Sequence, residues 1–322
     1  MLKRQQSQDG GKSTIMGSPS VVPIPPKQYA ASMHPGDGVP VPEGFIACIR
    51  RIEASLNMPT WFVIQPGGDG PFDDLEQPIM KMFCASSCEL PKGQQIALLL
   101  DSPGGSAKCA YQIARYIRNN CGRFTAVVAE YAKSAATLLA LGADRIILAN
   151  NAELGPLDVQ LLDADREMRI SALDEVQALE RLNAFALQAV DTGMLFFKRR
   201  SGKTINSLLP GVQGFVAEML QPLFEKIDAV HYTQMSRLLK VAEEYAIRLL
   251  QPKYSKKDAQ EIARLLVHQY PEHGFFIDRE EANSIGLETE EPQGELASAI
   301  EDLIPFIQEA TFVGKLVEVN NP

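Results

Sequence analysis

A serine, Ser134, stands third in the run AKSAATLLALGADRI, which starts at Ala132, some thirty positions after Asp-Ser-Pro-Gly-Gly at 101–105. Each stretch carries half of a nucleophilic reaction. Ser134 lies where an apolar run gives way to a helical pattern. Its hydroxyl therefore falls at or just inside a helix N-terminus, where the local potential favours developing negative charge. The N–H of Ala135 lies beside it, and the flanking alanines admit a substrate backbone. Gly104 and Gly105 can adopt angles closed to other residues and turn N–H groups into a cleft, an anion or oxyanion receptor in outline. Plainer readings stand beside these: a tight strand-to-helix turn for the glycines and an ordinary N-cap for Ser134. The Gly-x-Ser-x-Gly of an α/β-hydrolase elbow is absent.

The elements that must position these residues follow an alternating pattern. TWFVIQ, QQIALLL, RFTAVVA and DRIILAN are continuous apolar runs that read as buried strands. Between them lie the helix-period segments LEQPIMKMFCASS, SAKCAYQIARYIRNN (with Ser106 as its cap) and the one that follows Ser134, and GFIACIRRIEASL precedes the first strand. Such alternation specifies a parallel sheet covered by helices, an α/β fold in which function gathers at the loops leaving the strands' carboxyl ends. Both motifs sit on such loops. After Asp163 the pattern is mostly helical, in segments 171–200, 212–250 and 255–270. GFFID reads as one more short strand, REEANSIGL as a helix ended at Gly286, and 296–310 as a last helix interrupted by Pro305. The expected organisation is a flexible Pro/Gly-rich arm at 1–42, a main domain at 43–290 with a helical region at about 171–270, and a C-terminal helix and tail at 291–322.

Composition narrows the function classes. A chain of 322 residues with 45% hydrophobic and 22% charged residues buries a sizeable core, and its net charge of −9 argues against nucleic acid or anionic membrane as the main partner. Five cysteines without metal-type spacing give no disulfide framework and suit a reducing cytoplasm. Cys84 and Cys88, four apart, read as small buried hydrophobes rather than metal ligands, and no metal or other cofactor is expected. Neither a signal peptide nor an apolar run long enough to span a membrane is expected. There is no Gly-x-x-x-x-Gly-Lys-Ser/Thr, so any unfolding power would come from another chain.

Together the motifs carry a more specific resemblance. Ser-Pro-Gly-Gly after a strand, a serine among alanines, GADRIILANNAELGPLD next and a late REEANSIGL resemble the Clp/crotonase superfamily of serine peptidases. Through AKSAATLLALGADRI, ELGPLDVQ and HGFFIDREEANSIGL the chain most resembles the serine dehydrogenase proteinase family, relatives of the signal peptide peptidase SppA. The resemblance covers roughly Thr60 to Leu287. It implies a ClpP/crotonase-like fold of stacked β-β-α turns, here with a helical C-terminal extension. It also implies ATP-independent cleavage of unfolded or flexible polypeptide and assembly into homo-oligomers.

Carried onto this chain, the resemblance makes Ser134 the nucleophile, with Gly104 or Gly105 and Ala135 as oxyanion-hole donors. The base departs from the family's pattern. Clp peptidases carry a histidine in the segment that is NNAELGPLDVQ here, which has none, and the lysine window of SppA-type enzymes holds no lysine. Two candidates remain. His273 lies in YPEHGFFID, just ahead of the segment that resembles the Clp source of the triad acid, and an imidazole is a suitable base near neutral pH. Lys198 and Lys203 are the nearest later lysines, and Lys198 is the second candidate. His34 falls in the arm, His231 and His268 in helical segments, and Lys133 is expected to point away from its neighbour Ser134. Asp158 either orients a base or caps the GPLD turn. Two other readings stay open. One is acyl-CoA chemistry on the same fold with Glu153 as acid/base, and the other is an oligomeric scaffold that lost its base.

Overall fold

In the computed structural model, the described residues are 29–34, 37–68, 72–85, 90–163, 168–308 and 311–318. The chain runs through β1 (Tyr29–His34), β2 (Asp37–Pro40), α1 (Glu43–Leu56), β3 (Thr60–Ile64), α2 (Gln77–Ala85), β4 (Ile96–Ser102) and α3 (Ala107–Cys121). It continues through β5 (Phe124–Ala132), α4 (Ala135–Leu141), β6 (Arg145–Leu148), β7 (Glu153–Leu154), β8 (Gln160–Asp163) and β9 (Met168–Ser171). It closes with α5 (Ala172–Ser201), α6 (Ile205–Phe224), α7 (Ala229–Leu250), α8 (Lys256–His268), α9 (Arg279–Ser284), α10 (Glu295–Ile307) and β10 (Phe312–Glu318).

The four apolar runs become the parallel neighbours β3, β4, β5 and β6, and β7 continues the pairing along β5. Every residue of β4 is buried, as a central strand covered on both faces requires. α1 packs on α10, while α3 packs on α2, α4 and α7. Ser106 caps α3 as expected, accepting from the Cys109 N–H.

Three expectations are corrected. Residues 29–34 and 37–40, inside the segment expected to be a flexible arm, form an antiparallel hairpin on the sheet, while 1–28 lie outside the described residues. The hairpin has a partner because the tail supplies β10, which pairs with β1 on one side and β3 on the other. Its apolar positions read as a loose end only while that slot beside β3 is unseen. The last helix also runs through Pro305. Little more than half a turn follows it, and burial of Leu303 and Ile307 outweighs one missing backbone bond.

The segment expected at 212–250 divides into α6 and α7, where Asp228 caps the new helix by accepting from the N–H groups of Val230 and His231. α5 and α6 form a hairpin around a small core of Val212, Val216 and Leu220, separate from the main one. Gly193 admits this close pairing, since a Cβ there would meet Val212 at 2.9 Å. GFFID contributes a single bridge, Ile277 to Leu154. Among the described residues, no helix is long and apolar enough to cross a membrane and no cluster of three or more His, Cys, Asp or Glu is grouped to hold a metal. Cys88 and the side chain of Cys84 lie outside the described residues.

Candidate active site

The loop after β4 is braced from beneath. The Ser102 hydroxyl donates to Gln65 Oε1 at 2.7 Å, Gln65 Nε2 donates to the Phe72 carbonyl at 2.6 Å, and the Gly104 N–H donates to Ser102 Oγ at 3.2 Å. Asp101, 2% exposed, accepts the N–H groups of Glu130 and Tyr131 on one carboxylate oxygen, at 2.9 and 3.2 Å. That bond pins the register shift by which β5 leaves β4. Burial pushes the Asp101 carboxyl up to about 7, against the two N–H donors.

The two glycines have different tasks. Gly104 (φ +107°) meets the serine loop: a Cβ there would sit 2.6 Å from the Lys133 carbonyl oxygen and 2.9 Å from the Ala135 nitrogen. Its N–H is spent on Ser102. Gly105 (φ +137°) bridges to Leu75 through its neighbours, with Leu75 N–H donating to the Gly104 carbonyl and Ser106 N–H to the Leu75 carbonyl. The alternation of an extended chain turns the Gly105 N–H to the opposite side. No described group accepts from it, nor from the Ala135 N–H. Of the two glycines, Gly105 is thus the one whose N–H is left without an acceptor among the described residues.

Ser134 has φ +50° and ψ −118°, a backbone shape that costs a non-glycine residue on the order of 1–3 kcal/mol and clusters at functional sites. The turn is held by the Lys133 N–H on the Ser102 carbonyl at 3.0 Å. Thr137 reinforces it by donating to the Ala132 carbonyl at 2.6 Å and accepting the Gly155 N–H at 2.9 Å. Ser134 stands at the N-cap of α4 yet makes no capping bond with its side chain, which leaves the hydroxyl uncommitted.

A cavity of about 390 Å³ opens over this turn, lined by Ser134, Ala135, Gly105, Asp158 and His273, with Leu238 on the α7 side. His273 Nδ1 lies 2.6 Å from Asp158 Oδ1. With the buried carboxylate as acceptor, Nδ1 carries the proton and Nε2 is left as the basic nitrogen. The other Asp158 oxygen accepts from the Ser171 hydroxyl at 2.8 Å. Ser171 is delivered by the ribbon of β8 and β9, which pairs Gln160 with Ser171 and returns the chain to Asp158. Ser171 also caps α5 through the Leu173 N–H. In the sequence it shows only as the start of a helical segment, a signal shared by every capping serine. The segment carrying His273 is docked by two bonds between Leu154 and Ile277 and by the Lys133 ammonium on the Phe275 carbonyl at 3.3 Å.

Lys133 points away from the cavity, as expected, and its ammonium lies 2.7 Å from Glu153. Lys198 is not brought to the site. It is exposed in the last turn of α5 and does not line the cavity, because the helix carries it out along the α5–α6 hairpin. His231 lies 3.6 Å from Glu175 on the helical side, and burial lowers the pKa of His268.

Residues 85–231 match the family described as ClpP-like SDH-type serine proteinase. The match includes Ser134, Asp158 and Ser171 and ends before His273. Two uncharacterized proteins of Methanocaldococcus jannaschii are similar. One is 30% identical over 200 residues, covering 62% of this chain and 55% of that protein. The other is 25% identical over 198 residues, covering 62% and 53%. The chain thus spans about half the length of the curated relatives it matches. Among solved structures, ClpP1 from Listeria monocytogenes aligns at TM-score 0.38 and 12% identity, over 78% of this chain and 98% of that one. A mutant of the 1510-N membrane-bound stomatin-specific protease aligns at TM-score 0.29 and 20% identity, over 51% and 72%.

Proposed function

We propose, from the match of residues 85–231 to the ClpP-like SDH-type serine proteinase family, that this chain is a member with the ClpP-like α/β fold and a serine peptidase acting through Ser134. The observation that carries the reading is that Ser134 shares one cavity with His273, whose ring is held by the buried Asp158 at 2.6 Å. In this reading His273 Nε2 takes the Ser134 proton as the hydroxyl attacks the scissile carbonyl, then gives it to the leaving amine. Asp158 keeps the ring in the productive tautomer and balances the imidazolium charge. The N–H groups of Gly105 and Ala135 hold the tetrahedral oxyanion, each such donor being worth about 3 kcal/mol of transition-state stabilisation. The acyl-enzyme on Ser134 then yields to water.

The substrate class is unfolded or flexible polypeptide, cleaved internally and without ATP, in the cytoplasm. An open cavity of about 390 Å³ suits an extended segment. Homo-oligomeric assembly belongs to the same reading and is supported by Phe185, Leu187, Met219 and Leu223, apolar side chains exposed along the α5–α6 shaft. Acyl-CoA chemistry is the weaker reading, since Glu153 is engaged by Lys133 at 2.7 Å. The scaffold reading rested on a missing base, and His273 supplies one.

A fluorophosphonate probe tests the proposal. It is expected to label the wild type at Ser134 and to leave Ser134→Ala unlabelled, with casein hydrolysis following the same order. Equal labelling of both, or none of either in folded protein, removes the reading.

A further inference from the structure

The tip of the α5–α6 hairpin has a surface unlike the rest of the chain. From Thr192 to Ala217 there is no Asp or Glu, while Lys198, Arg199, Arg200 and Lys203 all fall within that span, in a chain whose net charge is −9. All four cations are exposed, and every ion pair found among the described residues involves other groups. The same tip displays Leu195, Phe196, Phe197, Ile205 and Phe215, each between 45 and 63% exposed. The Arg200 guanidinium lies over the Phe196 ring at 4.3 Å, so cation and aromatic ring present together. A shallow apolar hollow of about 340 Å³ opens between Phe197, Leu208, Gly211 and Phe215. α6 itself carries one charged residue, Glu218, in its 20 positions, yet only Val212, Val216 and Leu220 are buried.

We propose that this tip docks on an anionic phospholipid surface, its cations on lipid phosphates and its phenylalanines at the level of the upper acyl chains. Two signals combine in one place, as reversible interfacial binding requires: apolar side chains to insert and a basic cluster to be drawn down. A second copy of the chain is the poorer occupant, because pairing tip to tip sets four cations against four with no carboxylate in the span to offset them. An acidic polypeptide would answer the charge but leave the row of bare aromatic and aliphatic side chains unexplained. The chain's overall acidity, which argues against anionic membranes as a partner, here acts as an orienting device. The acidic body is repelled while the tip is attracted, so the hairpin approaches first.

Flotation of the full chain with vesicles tests this independently of the catalytic reading. Wild type is expected to float with phosphatidylcholine:phosphatidylglycerol 3:1 vesicles and not with phosphatidylcholine alone, and to be released by 0.5 M salt. The quadruple variant Lys198→Gln, Arg199→Gln, Arg200→Gln, Lys203→Gln is expected to lose on the order of a thousandfold in partition. The double variant Phe196→Ser, Phe197→Ser is expected to lose binding while keeping its melting temperature and oligomer mass. Equal flotation of variants and wild type, or none of folded wild type, overturns the proposal. So does binding of polyglutamate in place of vesicles, which names an acidic protein partner, or a drop in oligomer mass in the Phe variant, which names a second copy.

Discussion

The Ser171 hydroxyl donates to Asp158 at 2.8 Å while the opposite oxygen of that carboxylate faces His273 at 2.6 Å. Ser171 thus fixes which way the carboxylate turns, and through it the ring. Removing the hydroxyl frees the carboxylate to rotate. Ser171→Ala is expected to lower kcat for peptide hydrolysis about tenfold with KM unchanged, the size of one bond to a charged group. Loss of the α5 cap adds about 1 kcal/mol of destabilisation, read by denaturant melts. Ser171→Thr restores both, whereas a purely structural role would be restored in the melts and leave kcat untouched throughout.

Asp158→Asn keeps the shape but offers His273 an amide in place of a carboxylate. Hydrolysis and fluorophosphonate labelling are expected to fall roughly 10³–10⁴-fold, as they do when the orienting carboxylate of a triad is lost. A fall of less than about tenfold shows that His273 is not the base that Asp158 orients.

Lys198→Ala removes the other candidate base from the exposed end of α5. Labelling of Ser134 is expected to stay within about twofold of wild type, measured as a second-order rate. Loss of labelling would return Lys198 to the active site.

Gly104→Ala places a Cβ 2.6 Å from the Lys133 carbonyl at a positive φ. The strain costs on the order of 1–3 kcal/mol, and displacement of the Ser134 turn is expected to slow labelling roughly 10²-fold. A thermal melt beside the labelling rate separates the two effects.

Asp101 gives the fold a pH dependence of known sign. Its carboxyl is held up at about 7 by burial, so the folded state binds its proton more tightly than the unfolded state does. Stability from this group is present in full below about pH 4 and declines as pH rises to about 7, by on the order of 4 kcal/mol in all. Asp101→Asn retains an oxygen for the Glu130 and Tyr131 N–H groups without the buried charge. It is expected to flatten that slope and raise Tm at pH 7.5. An unchanged slope in urea melts from pH 4.5 to 7.5 refutes the assignment.

The parallel core was legible because its strands are continuous apolar runs closed by Gly and Pro, and β3 to β6 fall on the expected segments. Ser134 and the glycine loop were legible for the same reason, as both leave such strands. The pairing of His273 with Asp158 was not, because 115 residues separate them and the approach is made by the Leu154–Ile277 bridge, whose strands are too short to carry a period. Lys198 was misplaced because spacing along a chain says nothing of a 30-residue helix that carries its end away from the core. β10 was missed because its apolar positions make sense only against a slot filled from the far end of the sequence.

That slot also sets an order of events during synthesis. β3 (Thr60–Ile64) leaves the ribosome long before β10 (Phe312–Glu318), the strand that covers its outer edge. Until then a fully buried-type strand presents a row of open backbone groups, a template for the edge of any neighbouring nascent chain. The serine turn, built on β4 and β5, can form well before that edge closes. The growing polypeptide therefore passes through a stage with an assembled Ser134 turn and an unsealed sheet, and a chaperone that shields β3 would act in that interval.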